Sequence, residues 1–296
     1  MSIPPAVTVV EVGPRDGLQN EAARISTDDK VAFIDRLSAA GLREIEASAF
    51  VSPKWIPQLD DAGEVFARIA RRPGTRYSAL VPNMRGLERA MSAGVTDIAI
   101  FVATSETFSQ HNTNRSVDAS FESYGTVVST ALAAGLRVRG YLSTAFGCPF
   151  EGDVPVERVV ALTQRLLDMG VFEVAVSDTI GVAHPGQVRA VLPQLLATVP
   201  ASRIALHFHD TRGTALANVL AALDFGIATF DASAGGLGGC PYAPRATGNL
   251  ATEDLLFMLH GLGIDTGVNI DAVSDAALAL APQLGHSLAS RYTQAR

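Results

Sequence analysis

His207 and His209 stand two residues apart in the run Ile204-Ala-Leu-His-Phe-His-Asp210. On an extended strand, side chains at i and i+2 point the same way. The two imidazoles then lie side by side, and neutral histidine is a good ligand for a divalent metal. The same pair also suits rings that satisfy core hydrogen bonds or line a cavity mouth, and these residues alone leave both readings open. No cysteine cluster accompanies them, which argues against a structural zinc site. With an Asp or Asn completing the shell, the site is oxygen-rich and open, favouring Mg²⁺ or Mn²⁺.

Three other segments carry groups of chemical interest. Glu11-Val-Gly-Pro-Arg-Asp-Gly17 offers Asp16, a third metal ligand if it reaches the histidines, and Arg15, a fixed positive charge for a carbonyl or enolate oxygen. An ordinary polar surface turn is the competing reading. Glu46 ends a stretch composed mainly for burial, and it either supports Arg15 or a ligand or is simply exposed at a strand end. The run Gly235-Gly-Leu-Gly-Gly239-Cys240 lacks the Lys and Ser/Thr of a phosphate loop and the GxGxxG dinucleotide spacing. Its glycines better suit a mobile cover that carries Cys240, although a lone cysteine is usually a small buried hydrophobe.

For these groups to meet, the chain must bring its two ends together. Short β-branched runs at Val7–Val12, Arg43–Ala47, Arg76–Val81, Asp97–Val102, Arg137–Ser143, Phe172–Val176, Ile204–Phe208 and Thr229–Asp231 read as eight strands. Helical patterns lie between them, among them Thr27–Ala40, Gln58–Ala70, Val156–Met169 and Thr214–Phe225. Gly41, Gly94, Gly135, Gly170 and Gly226 stand where helices should stop before the next strand. Eight such units favour an α/β fold of the TIM (β/α)₈ barrel type over an open doubly wound sheet. The strand ends of a barrel converge on one face, where Arg15, Asp16, Glu46, His207, His209 and the glycine run would assemble. No low-complexity linker divides the chain, so 1–296 is read as one catalytic domain, with about 252–296 forming an outer C-terminal helical region.

Composition narrows the function classes. The chain has 296 residues, 48% of them hydrophobic but only 6% aromatic, so Ala, Val and Leu supply the core. A net charge of -7 gives no general attraction to nucleic acid or to an anionic membrane. No apolar run reaches the ~20 residues needed to cross a bilayer, and Met1–Ala6 does not open a secretory peptide. The two cysteines, Cys148 and Cys240, cannot form a disulfide framework and fit a reducing, cytoplasmic setting, with a single bridge left open.

Taken in order, several segments resemble the hydroxymethylglutaryl-coenzyme A lyase family, within the wider group of barrel metallolyases and condensing enzymes. They are VGPRDGLQNE at Val12–Glu21, IEASAFVSPKWIPQ at Ile45–Gln58, VPNMRGLERAMSAG at Val81–Gly94 and SETFSQHNTN at Ser105–Asn114. RGYLSTAFGCPFEG at Arg139–Gly152, SDTIG at Ser177–Gly181, HFHDTRGTALAN at His207–Asn218 and GLGGCPYAPRATGNLATEDL at Gly236–Leu255 complete the set. The resemblance implies that Asp16, His207, His209 and Asn249 ligate a divalent ion, Mg²⁺ or Mn²⁺. It implies that Arg15 binds substrate and stabilises enolate charge, that Glu46 supports it, and that Cys240 takes part in proton transfer. Asp178 matches a further catalytic residue, and His207 is a candidate for the first proton transfer as well as a ligand. The implied reaction is retro-Claisen cleavage of 3-hydroxy-3-methylglutaryl-coenzyme A to acetoacetate and acetyl-coenzyme A. An acyl-coenzyme A substrate and a homodimer are carried over from the family alone.

The chain departs from the family pattern at Arg212, Arg245, Ser177 and Thr113. Arg212 and Arg245 either reshape outer loops or meet an anionic part of the substrate. The alternatives are a lyase for a larger branched 3-hydroxyacyl-coenzyme A, a citramalate-type condensing enzyme, or a non-catalytic metal-binding barrel.

Overall fold

The computed structural model describes residues 3–238 and 248–296. Eight strands run in chain order: β1 (Thr8–Glu11), β2 (Glu44–Ala49), β3 (Arg76–Leu80), β4 (Asp97–Ala103), β5 (Arg137–Ser143), β6 (Glu173–Asp178), β7 (Ile204–Phe208) and β8 (Thr229–Ala232). Each pairs in parallel with the next, and β8 returns to β1 from Thr8↔Thr229 to Glu11↔Ala232. The sheet is therefore closed, and the fold is a TIM barrel.

Period-two alternation divides each strand between two layers. Ile98, Ile100 and Val102 on β4, Val174 and Val176 on β6, and Ile204, Leu206 and Phe208 on β7 join the large apolar cluster beneath the helices. Their neighbours Ala99, Ala175 and Ala205 belong to a second, smaller cluster with Leu59, Leu80 and Tyr141. Alanine at these inner positions leaves volume in the barrel. Arg139, Tyr141, Glu173 and Asp231 use that volume, all buried and bonded to one another.

The helices are α1 (Thr27–Ala39), α2 (Ala62–Arg68), α3 (Met84–Ser92), α4 (Glu106–Thr113), α5 (Val117–Ala133), α6 (Val156–Asp168), α7 (Pro185–Leu196), α8 (Ala215–Leu223), α9 (Thr252–Gly261), α10 (Ile270–Leu284) and α11 (Arg291–Gln294). Ser26, Asn83 and Ser116 cap α1, α3 and α5 by accepting a backbone N–H from the first turn. Gly41 closes the α1 unit at φ 102°, and a Cβ there would lie 2.3 Å from the Gly267 carbonyl oxygen, so glycine is required on both counts. α10 packs against α1. Among the described residues no helix is long and apolar enough to cross a membrane.

Two boundaries differ from the sequence pattern. Strand β2 continues to Ala49, so Glu46 lies within it rather than at its end, and the β2–β3 register slips between Glu46 and Ser48. The helix expected over 58–70 is only α2, preceded by a short 3₁₀ turn over Pro57–Leu59. Buried Lys30 draws that turn inward, donating to the Gln58 carbonyl at 2.5 Å and to Asp61 at 2.8 Å.

Candidate metal centre

The site begins at the turn that leaves β1. Gly13–Gly17 form a single wide turn of π type in which the Val12 carbonyl accepts the N–H groups of Arg15, Asp16 and Gly17. Glu11 fixes this turn from below. Its Oε1 accepts the Gly13 N–H at 2.8 Å and the Ala234 N–H at 2.9 Å, while Oε2 accepts the Thr252 hydroxyl at 2.7 Å. One buried carboxylate thus joins the first turn, the segment after β8 and the start of α9. Burial pushes Glu11 up to about 7, against those three donors.

The turn aims Arg15 and Asp16 at the barrel mouth, where they pair with each other. Arg15 Nε also donates to Glu46, and its guanidinium lies 5.5 Å from the centre of the Tyr141 ring. Glu46 is 1% exposed and accepts the Tyr141 hydroxyl on its other oxygen at 2.7 Å. Burial disfavours the Arg15 charge, but Glu46 and Asp16 overcome this and hold the group cationic. Glu46 thus holds Arg15 and Tyr141 from inside the barrel and is not an exposed strand-end residue.

His207, His209 and Asp16 bring one potential ligand atom each to within 4.8 Å of one another. The two imidazole centres are 5.2 Å apart, as expected for i and i+2 on one strand face. Asn249 arrives from the segment after β8, which runs antiparallel past the end of β7. His209 bridges Asn249, and the Asp210 N–H donates to the Gly248 carbonyl at 2.7 Å. Asn249 Nδ2 then donates to Asp16 Oδ2 at 3.0 Å and to the Leu237 carbonyl at 3.1 Å. The four residues are together, drawn from three separate stretches of chain.

Whether they fit an ion is tested by what their other atoms do. His209 Nδ1 and Asn249 Oδ1 are buried with no hydrogen-bond partner among the described residues, an expensive state for polar atoms that only protein surrounds. A cation among these groups would use such lone pairs. Burial opposes the Asp16 charge, but Arg15, then the two histidines and Asn249, hold its carboxyl down to about 2. Burial and the neighbouring His207 push His209 down to about 3, so its ring is neutral at pH 7. An anionic oxygen, a neutral imidazole and an amide oxygen form a donor set suited to a hard or borderline divalent ion.

Asp178 is placed differently. It is fully buried at the end of β6, and its two oxygens accept the N–H groups of Val182 and Ala183 at 2.9 and 3.0 Å. Burial pushes it up to about 6 against those bonds. Arg212 turns back onto the same loop, donating to the carbonyls of Ile180 and Gly181 at 2.9 and 2.8 Å. It therefore ties the loops after β6 and β7 to each other. Ser177 donates to the Ala175 carbonyl and Thr113 to the Ser109 carbonyl, so both departures are locally satisfied. Cys240 and Arg245 lie outside the described residues.

Residues 6–279 match the family described as HMGL-like. The chain belongs to the HMGL-like family. A lyase of Pseudomonas aeruginosa named for 3-hydroxy-3-isohexenylglutaryl-CoA and hydroxy-methylglutaryl-CoA is 50% identical to it over 295 residues, 100% of this chain and 98% of the other. The solved HMG-CoA lyase of Bacillus subtilis superposes with a TM-score of 0.98 at 50% identity, covering 100% of this chain and 99% of that one. An HMG-CoA lyase of Acinetobacter baumannii, solved with coenzyme A and 3-methylmalate, gives 0.94 at 39% identity, with 100% and 96% covered.

Within this HMGL-like site, five groups escaped the residue pattern: Glu11, Tyr141, Arg139, Glu173 and Asp231. All five are polar or charged strand residues, and the i, i+2 rule that aligned His207 with His209 also turns Arg139 with Tyr141. That alternation was a readable signal for an internal polar layer.

Proposed function

We propose that the chain cleaves 3-hydroxy-3-methylglutaryl-coenzyme A to acetoacetate and acetyl-coenzyme A by a metal-dependent retro-Claisen reaction. The carrying observation is the meeting of Asp16, His207, His209 and Asn249 beside the buried Arg15–Glu46 pair. Full-length similarity to hydroxymethylglutaryl-CoA lyases supports the choice of substrate.

Asp16 and His209, with Nε2 of His207 and Oδ1 of Asn249, would hold the ion, Mg²⁺ or Mn²⁺. When bound, such an ion supplies Lewis acidity that eases ionisation of the substrate's tertiary hydroxyl. A general base takes the hydroxyl proton, and the bond from the carbinol carbon to the thioester methylene breaks, leaving acetoacetate and a thioester enolate. Arg15, clamped by Glu46, faces the developing oxyanion with a charge that needs no reorganisation. Cys240 delivers the proton that converts the enolate to acetyl-coenzyme A. His207 serves as a ligand, because Asp231 already occupies its other ring nitrogen. Asp178 serves by holding the loop after β6.

Residues 1–296 act as one catalytic domain, with 252–296 as its outer helical region. The buried, free Cys148 fits a reducing, cytoplasmic setting. Purified protein given Mn²⁺ or Mg²⁺ and a thiol reductant is expected to release acetyl-coenzyme A from 3-hydroxy-3-methylglutaryl-coenzyme A. Absence of turnover under those conditions overturns the assignment. The double name of the Pseudomonas relative favours one second reading, a larger branched 3-hydroxyacyl thioester. Comparing kcat/KM across a series of branched thioesters separates the two.

A further inference from the structure

We propose that Asp231 decides which nitrogen His207 presents to the divalent ion, with Arg139 and Glu173 holding Asp231 in position. The proposal rests on the reading of Asp16, His207, His209 and Asn249 as ligands.

His207 on β7 and Asp231 on β8 are direct partners across the strand pair, so their side chains share the inner face. His207 Nδ1 lies 3.2 Å from Asp231 Oδ2. An ionised carboxylate only accepts, and a neutral imidazole has one N–H and one lone pair. In the neutral ring the hydrogen therefore sits on Nδ1, leaving the lone pair on Nε2. Nε2 is the atom that faces the site, 4.0 Å from Asp16 Oδ2.

Asp231 has little freedom to turn away. Its two oxygens accept Nη2 and Nη1 of Arg139 at 2.7 and 3.1 Å, and Arg139 Nε donates to Glu173 Oε1 at 2.8 Å. Arg139 Nη1 also donates to the Tyr141 hydroxyl at 3.0 Å, and that hydroxyl donates to Glu46. Asp231 is 1% exposed, and a planar guanidinium gripping both its oxygens fixes the carboxylate plane. His209 offers the contrast, since its Nδ1 has no partner among the described residues. One imidazole is thus set in advance, while the other has no such brace among the described residues. Hydrogen-bonding partners of this kind orient a ligand ring and raise its basicity.

Two measurements on the full chain test this. In the first, protein labelled with ¹⁵N-histidine is read by long-range ¹H–¹⁵N correlation at alkaline pH, with His207 assigned by the signal lost in His207→Gln. The Nδ1–H tautomer is expected, both metal-free and with Mg²⁺. In the second, free Mn²⁺ is counted by electron paramagnetic resonance during titration of wild type and Asp231→Asn. The variant should bind Mn²⁺ about 10–100-fold more weakly. An Nε2–H tautomer for His207, or an unchanged Mn²⁺ affinity in a folded Asp231→Asn, overturns the proposal. If the variant does not fold, the tautomer of the wild type decides. Failure of wild type to bind Mn²⁺ would instead overturn the ligand reading itself, and this proposal with it.

Discussion

Asn249 donates through Nδ2 to Asp16 Oδ2 at 3.0 Å across a sequence separation of 233 residues. The bond orients the amide so that its oxygen, and not its nitrogen, is without a partner among the described residues. Replacing Asn249 with Ala removes a proposed neutral ligand and the hydrogen bond that braces Asp16. Mn²⁺ affinity should fall at least about tenfold, while metal-free stability changes by only about 1 kcal/mol. Metal titration and urea denaturation of the same preparation read the two effects separately.

Gly238 makes that arrangement possible. Its φ is +101°, and a Cβ there would lie 2.8 Å from Asn249 Nδ2 and 3.2 Å from the Gly17 Cα. Gly238→Ala should weaken Mn²⁺ binding by displacing the amide. Gly263→Ala is the control, because φ is +74° there and nothing lies within 4 Å of the added carbon. It carries the backbone cost alone, roughly 1 kcal/mol, and should leave Mn²⁺ affinity unchanged.

Arg15 is held on three sides, by Glu46, Asp16 and the Tyr141 ring. Lysine keeps the charge but not the planar fork. Arg15→Lys should lower kcat by about 10²–10³-fold and change Mn²⁺ affinity little. A parallel loss of metal would show that Arg15 mainly positions Asp16.

Glu11 and Glu253 are buried carboxyls pushed up to about 7 from 4.5, chiefly by burial. A carboxyl with a raised folded-state pKa binds more protons folded than unfolded between those values, so stability falls as pH rises from 4.5 to about 7. Each group contributes about 3 kcal/mol at most. Glu11→Gln keeps an oxygen for Gly13 and Ala234 while removing the titration. Its urea midpoint should therefore vary less between pH 5 and pH 8 than that of wild type. An identical pH dependence would show that Glu11 stays ionised, stabilised by its three donors.

Much of the barrel could be read from the residues because inward and outward strand positions differ in size and polarity. β5 and β7 occur where the β-branched runs place them. The same rule brought His207 and His209 to one face. Partnerships between distant side chains were less legible. Nothing local in Glu11-Val-Gly-Pro-Arg announces that Glu11 will grip Ala234 and Thr252, since that contact exists only once β8 lies beside β1. Alternation marks Arg139 and Asp231 as polar strand residues, but the partners they find appear only once the barrel closes. The shortened α2 had a local cause, Lys30, but it acts from another helix.

The closure of β8 onto β1, reinforced by Glu11, carries a consequence for the order of synthesis. A ribosome makes Arg15 and Asp16 early and Asn249 late, so the proposed ligand set is incomplete through most of translation. Long-range closure of this kind is slow to form and exposes strand edges meanwhile. Metal capture would therefore report a finished barrel rather than help to build one, and a nascent chain stalled before β8 would be inert however much ion surrounds it.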